Sequence, residues 1–333
     1  MPVIFPATYS TLCPEALASL VSDRYGLPGV QCQLLTRGVG DTYSIVSGGE
    51  RSILRVYRSS HRSLPQIKVE IDLLLALRSA GVSVSYPLAD LSGTVIQPID
   101  AVEGRRHAVL FTYAPGRSIS RLNDNQLREL GRQMAGFHNV SAIIDLGGSR
   151  WNYDLSTTLF EPLEKLQPYF LEHPEDHTWL VETARQVEAR LAQFDTGRFS
   201  TGYCHFDFLP KNFHFEGDKV TFFDFDFLGY GWLVNDLMTF WDHLFLDVYN
   251  GRITQEEADG SFAVFVEAYR SCRALSEDEL TAIPYLSLGF WLYYMGFHTT
   301  HDQFYIYVQP HHLKLRTNFL RKAFTGLLRQ DVR

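Results

Sequence analysis

The sequence predicts an α+β protein in two lobes, and three observations carry that prediction. Before the Pro115-Gly116 breaker, five short apolar runs alternate in the manner of strands, with one long amphipathic helix among them. After it, apolar residues recur at helical spacing in six further segments. Between residues 205 and 226, two short strand-like runs are flanked by Asp207, Asn212 and Asp224. Strands first and helices later read as two segregated layers, here a lobe at residues 1–115 and a second, mostly helical lobe at 116–333.

In chain order, residues 14–25 make a short helix with Leu17, Leu20 and Val21 on one face and Gly26 ending it. Residues 31–35 are a strand, 36–42 a loop containing Gly38 and Gly40, 43–46 a second strand and 52–57 a third. A glycine-bearing loop between antiparallel strands can lay backbone N–H groups over phosphates, although glycine in such loops ordinarily just supplies a positive φ. On the third strand Arg55 shares a face with Ile53 and Tyr57. A helix over residues 64–80 presents Ile67, Ile71, Leu74 and Leu77 on one face, with Glu70 beside it and able to pair with Arg55. Two more strands, 95–99 and 107–113, complete the first lobe, and Tyr113 to Gly116 is the hinge. Helices are expected at about 124–138, 176–194, 233–248, 256–272, 277–298 and 312–328. Residues 213–215 and 220–223, split by Glu216-Gly217-Asp218, form a hairpin that holds Asn212 and Asp224 near one another.

Composition narrows the function. The chain has 333 residues, 45% hydrophobic and 20% charged, with a formal net charge of −8. That balance disfavours general nucleic-acid binding, which needs basic patches against phosphate. Cys13, Cys32, Cys204 and Cys272 are scattered without a CxxC pair, which fits a reducing, cytoplasmic setting rather than a disulfide scaffold or structural zinc. No leader-like N-terminus and no apolar run near the ~20 residues of a bilayer span is visible, so no membrane partner is expected.

The chemistry concentrates at His205-Phe206-Asp207-Phe208-Leu209-Pro210-Lys211-Asn212 and Asp224-Phe225-Asp226. Moving the γ-phosphoryl group of ATP (or GTP) demands positioning, charge neutralisation and a hydroxyl orienter more than covalent chemistry. Asp207 can accept the hydroxyl proton, and Asn212 and Asp224 supply the hard oxygen ligands that Mg²⁺ prefers. Taken singly, each is as readily a turn, cap or surface residue; it is their joint order that points to catalysis.

Together with Gly38, Gly40, Arg55, Glu70, the 113–116 hinge and Asp236-Leu237, these residues resemble the aminoglycoside phosphotransferase family. That family belongs to the protein-kinase-like superfamily, with choline kinases, type II homoserine kinases and the stress response kinase as relatives. The resemblance covers about residues 30–300, and its specific core is His-x-Asp-x4-Asn followed by Asp-x-Asp. It implies a protein-kinase-like fold with the chemistry where the two lobes meet. It also implies Asp207 as catalytic base, His205 as brace of the catalytic loop, Asn212 and Asp224 as metal ligands, and Asp236 as support for the loop. The nucleotide would then meet Gly38, Gly40, Arg55 and Glu70, with adenine against the backbone around Phe111 and Tyr113. Arg55 departs from the usual lysine, keeping the charge with a different geometry. Phe206 and Phe208 flank the base where smaller or polar residues are frequent, which predicts a drier acceptor site.

The acceptor side is read from the later helices. Asp226, Trp241, Asp242, Asp247, Trp291 and Tyr294 are the candidates, since aromatics with carboxylates hold a cationic amine well. Aromatics at helical spacing are also ordinary core, and the pairs His298/His301 and His311/His312 lack a third ligand and do not make a metal site. The expected partner is a small hydroxyl-bearing molecule, cationic or neutral, such as an amino alcohol, a homoserine-like or an aminoglycoside-like acceptor. A Ser/Thr protein kinase and a nucleotide-binding pseudokinase scaffold remain as alternatives.

Overall fold

Five antiparallel strands, in the spatial order β1-β2-β3-β5-β4, form the sheet of the N-terminal region in this computed structural model, which describes residues 5–330. They are β1 (Gln31–Arg37), β2 (Gly40–Ser47), β3 (Glu50–Tyr57), β4 (Ile96–Ala101) and β5 (Gly104–Thr112). Alternation sets their faces: Tyr43, Ile45, Leu54, Val56, Ala108 and Leu110 are buried together. Leu17 and Val21 of helix α1 (Pro14–Tyr25) pack against them, and Gly26 ends α1 in the left-handed conformation at φ 66°. Helix α2 (Leu64–Ser79) starts at a capping box between Ser63 and Gln66.

The chain divides into two compact units, and the division does not follow the sequence in one cut. The first comprises Met1–Arg117, Asp145–Ser149 and Phe213–Phe223. The hairpin Phe213–Glu216/Lys219–Phe222 therefore belongs with the sheet, through a bridge from Val84 to Phe222 and one from Arg117 to Phe215. Gly116 permits the second bridge: a Cβ there would fall 2.1 Å from the Phe215 carbonyl oxygen.

The second unit comprises Ser118–Ile144, Arg150–Asn212 and Asp224–Arg333. Its helices are α3 (Asp124–Ser141), α4 (Glu161–Leu166), α5 (Pro174–Leu191), α6 (Val234–Tyr249), α7 (Gln255–Arg270), α8 (Glu277–Phe297) and α9 (Pro310–Gln330). A small sheet that the sequence reading did not contain joins them. Strand Gly229–Trp232 runs parallel to Trp151–Tyr153 and antiparallel to Thr201–Cys204. Runs of three or four residues are too short to show alternation, so these strands left no legible period. The loop expected at residues 36–42 is also tighter than expected. β1 and β2 extend to Arg37 and from Gly40, and Gly38 closes the turn by donating its N–H to the Gly40 carbonyl at 2.8 Å.

Candidate active site

Strand Thr201–Cys204 delivers the chain into the loop that carries Asp207, and one carboxylate shapes that loop. Asp236, in the first turn of α6, is fully buried and accepts the His205 N–H at 2.8 Å and the Phe206 N–H at 2.7 Å. It also meets Nε2 of His138 on α3 at 3.0 Å. Nδ1 of His138 lies 2.8 Å from the Tyr269 hydroxyl. With Asp236 accepting at Nε2, the His138 ring proton sits there and Nδ1 takes the tyrosine O–H. Burial lowers the His138 pKa more than the neighbouring Asp236 raises it, so the imidazole is a neutral linker. Each of these buried polar atoms has a partner, as low-dielectric surroundings require.

The loop bends through Phe206, which has φ 59°, a conformation costly for a bulky side chain. The Tyr153 ring stacks on it at 3.7 Å and 11°, and Tyr293 and Phe290 meet it edge-on. Packing thus holds a backbone bend that the residue alone would avoid. The bend presents Asp207. His205 Nδ1 accepts the Asp207 N–H at 3.3 Å.

The two carboxylate oxygens of Asp207 are treated differently. Oδ2 accepts from Asn212 Nδ2 at 2.8 Å and pairs with Lys211 Nζ at 2.8 Å. Oδ1 is buried with no partner. Burial is the main cause of a raised Asp207 pKa; Lys211 and His205 oppose it, and the Asp224 charge adds to it. The Tyr294 phenol of α8 lies close enough to this carboxylate for its own pKa to be pushed well up, chiefly by burial and then by the Asp207 charge. The Tyr294 hydroxyl is nonetheless buried without a hydrogen-bond partner. The Tyr294 hydroxyl and the Asp207 carboxylate are thus within side-chain hydrogen-bonding reach of one another, although neither Asp207 Oδ1 nor the phenol oxygen makes a well-formed bond.

Asn212 also donates Nδ2 to the Asp207 carbonyl at 2.7 Å, so both its bonds leave through nitrogen and its amide oxygen is turned elsewhere. Asp224 is exposed and left-handed, at φ 65° and ψ 60°, a conformation aspartate tolerates better than most residues. Asp226 is buried, and its carbonyl takes Arg150 Nη1 at 2.9 Å. The Asn212 amide oxygen and the Asp224 carboxylate are hard oxygen donors. Those donor types suit a hard divalent metal, and Asp224 lies near enough to Asp207 for its charge to add to the rise of the Asp207 pKa.

In the first unit, Arg55 Nη1 is 3.5 Å from Glu70 Oε1, with both side chains largely buried. Gly40 packs tightly: a Cβ on it would lie 3.1 Å from the Val56 carbonyl. Neither Gly38 nor Gly40 has a positive φ, so close approach and not backbone freedom explains Gly40. Phe111 is buried in β5, and Tyr113 beyond it meets His214 edge-on.

The acceptor-side candidates fall into two groups. Tyr294 and Trp291 lie one turn apart on α8, near Asp207 and Asp242 respectively. Asp242 is fully buried and accepts the Ser287 hydroxyl at 2.6 Å; burial drives its pKa up to about 8 against the opposing effect of Ser287 and Trp291. Trp241 and Asp247 lie elsewhere. Trp241 stacks on Phe245 and lines a cavity of about 370 Å³ among α6, α7, α8 and α9. Asp247, near the end of α6, is tied to Arg252 at 3.0 Å. Sequence reasoning missed Lys211, His138 and Tyr153. For Lys211 a signal existed, a cation four residues after the aspartate; the other two come from distant elements and left none.

Comparison with known proteins gives the family. The model of the phosphotransferase enzyme family matches residues 31–275. An uncharacterized protein of Deinococcus radiodurans is 36% identical over 293 residues, covering 88% of this chain and 84% of its own length. A homoserine kinase of Phenylobacterium zucineum is 27% identical, over 85% of this chain and 84% of its own. Two solved structures share the fold. One is the amicoumacin kinase hAmiN in complex with AMP-PNP, Ca²⁺ and Ami, with TM-score 0.72, 22% identity and coverage of 91% and 93% of the two chains. The other is a microcompartment-associated aminopropanol kinase, with TM-score 0.73, 21% identity and coverage of 93% and 98%. A family match over most of the chain, on a protein-kinase-like α+β fold, means that this protein belongs to the phosphotransferase enzyme family.

Proposed function

We propose that this phosphotransferase, acting on an alcohol group, moves the γ-phosphoryl of ATP to the hydroxyl of a small amine-bearing molecule, with Asp207 as the base. The observation that carries the reading is the asymmetry of Asp207: Oδ2 is held by Asn212 and Lys211, while buried Oδ1 makes no well-formed bond and the Tyr294 phenol lies close to the carboxylate. An acceptor O–H would donate to Oδ1 and take the Tyr294 O–H on its lone pair, satisfying both orphaned atoms. Because Oδ2 is clamped, the carboxylate cannot rotate away from the hydroxyl it orients. In this fold the proton leaves late, so orientation matters more than basicity.

Arg55, positioned by Glu70, and the Gly38–Gly40 turn would hold the nucleotide phosphates, with adenine against the backbone of Phe111 to Tyr113. Asn212 and Asp224 would hold Mg²⁺, which supplies neutralisation of phosphate charge when bound. A relative's structure with AMP-PNP and Ca²⁺ supports nucleotide and divalent-metal use. Asp242 and Trp291 would receive the acceptor's amine through carboxylate and indole face. Relatives named for aminopropanol and homoserine, both amine-bearing alcohols, favour that class.

Asp207→Ala should lower kcat by about 10³-fold while leaving binding of AMP-PNP largely intact. Phosphate transfer would be assayed against a panel of amino alcohols, hydroxy amino acids and aminoglycosides. Wild-type turnover in the variant would sink the assignment of the base.

A further inference from the structure

We infer that Arg316, His298 and Lys211 form an anion subsite beside Asp207, and that it takes a carboxylate on the acceptor. This deepens the function proposed above and rests on it for the identity of the base.

The anomaly is Arg316. It is half-buried on α9, yet among the described residues it forms no ion pair with a carboxylate. Lys314 and Arg321, on the same helix, each reach Asp176 at 2.8 Å. Arg316 instead donates Nη1 to Nδ1 of His298 at 2.9 Å and lies over the Tyr307 ring at 5.2 Å. Arginine has no lone pair to offer, so Nδ1 of His298 is the acceptor and the ring proton sits on Nε2. A guanidinium partly withdrawn from water against a neutral imidazole and a ring face is poorly compensated.

The place of this cation decides what it could serve. His298 follows Tyr294 by one helical turn, with ring centroids 6.3 Å apart. Tyr294 borders Asp207, and Lys211 is bonded to Asp207. Burial and then the Arg316 and Lys211 charges push the His298 pKa down to about 3, so the imidazole is a neutral N–H donor. The Lys211 side chain is 58% exposed, which leaves its other N–H donors able to reach a ligand. Two cations and a neutral donor are thus linked to the base through Tyr294 and Lys211, in a chain whose net charge is −8. A fork of guanidinium donors matches a carboxylate in geometry as well as charge. With Asp242 as the amine partner proposed above, the arrangement suits a hydroxy amino acid better than a bare amino alcohol.

The test uses matched acceptors that differ only by the carboxylate: ethanolamine against serine, and 3-aminopropanol against homoserine. For the wild type, the better-fitting carboxylated member should be preferred roughly 10- to 100-fold in kcat/KM, the range that charge-assisted hydrogen bonds command. In Arg316→Met the ratio should collapse toward unity, and Arg316→Lys should restore part of it. Because the ratio is taken within each variant, a general loss of activity does not imitate the effect. Calorimetric binding of the same pairs to the wild type reads the subsite independently of turnover. Absence of phosphate transfer with tighter carboxylate binding would therefore count against the proposed function and still support the subsite. A wild-type ratio near unity in both assays would overturn the subsite. So would a ratio that Arg316→Met leaves in place while weakening AMP-PNP relative to ADP, since the anion would then be the nucleotide's phosphate.

Discussion

Asp207 Oδ1 and the Tyr294 hydroxyl are both buried and both without a hydrogen-bond partner, although they are near enough for the carboxylate's charge to raise the phenol's pKa. Buried polar atoms are ordinarily paired, and two such atoms without well-formed bonds beside the candidate base are where a substrate atom would fit. Tyr294→Phe should therefore cost little stability, since the hydroxyl makes no well-formed bond in the folded protein. It should lower kcat/KM for the acceptor by roughly tenfold, the worth of one neutral hydrogen bond, with the nucleotide KM little moved. A large fall in melting temperature would show instead that the phenol is a structural donor.

Asp236 is the acceptor on which the loop carrying Asp207 hangs, taking the N–H groups of His205 and Phe206 and Nε2 of His138. Asp236→Ala would strand three buried donors, each worth about 1–3 kcal/mol when left unpaired. Allowing for relaxation, a loss of about 3–5 kcal/mol is expected. Denaturant unfolding of the variant checks this. A change below about 1 kcal/mol would mean that water replaces the carboxylate.

Phe206 sets two effects against each other. Its φ of 59° costs about 1–2 kcal/mol, which glycine would recover. Its ring is almost fully buried and stacked on Tyr153, and removing a buried phenylalanine costs about 3–5 kcal/mol. Packing wins, so Phe206→Gly should destabilise the protein by about 2–3 kcal/mol. A more stable glycine variant would show that backbone strain dominates here.

The features legible in the sequence are those built from neighbours in the chain. The 213–222 hairpin is visible because its strands and its Gly217 turn are adjacent, and it accounts for Asn212 and Asp224 flanking one supersecondary unit. Asp207, Asn212 and Asp224 could be picked out by order and spacing. The Arg55–Glu70 pairing could be anticipated from a strand followed by a helix. What escaped depends on contacts from afar. His138 reaches Asp236 across 98 positions, and Arg316 meets His298 from a different helix. Nothing in local periodicity distinguishes those side chains from ordinary core or surface residues. Asp242 was legible as a candidate, but its protonation comes from burial, which the sequence does not print.

That protonation carries a pH dependence. Burial raises the folded pKa of Asp242 to about 8, whereas an unfolded aspartate titrates near 3.9. Between those values the unfolded chain has lost a proton that the folded one keeps, so stability is fully present below about pH 4 and falls as pH rises toward 8. The limiting slope is about 1.4 kcal/mol per pH unit. Asp242→Asn, which keeps an acceptor for Ser287 but cannot ionise, should lack this contribution. The stability of the wild type relative to the variant should therefore decline from pH 5 to pH 8 and level off above it. An acceptor amine works in the opposite direction, because its positive charge favours the ionised carboxylate. Acceptor affinity of the wild type should thus rise over the same interval, while Asp242→Asn binds weakly at every pH. Melting curves with and without 3-aminopropanol at pH 5, 7 and 8.5 separate the two effects. A wild type and variant that differ by the same amount at all three values would mean that Asp242 is ionised throughout.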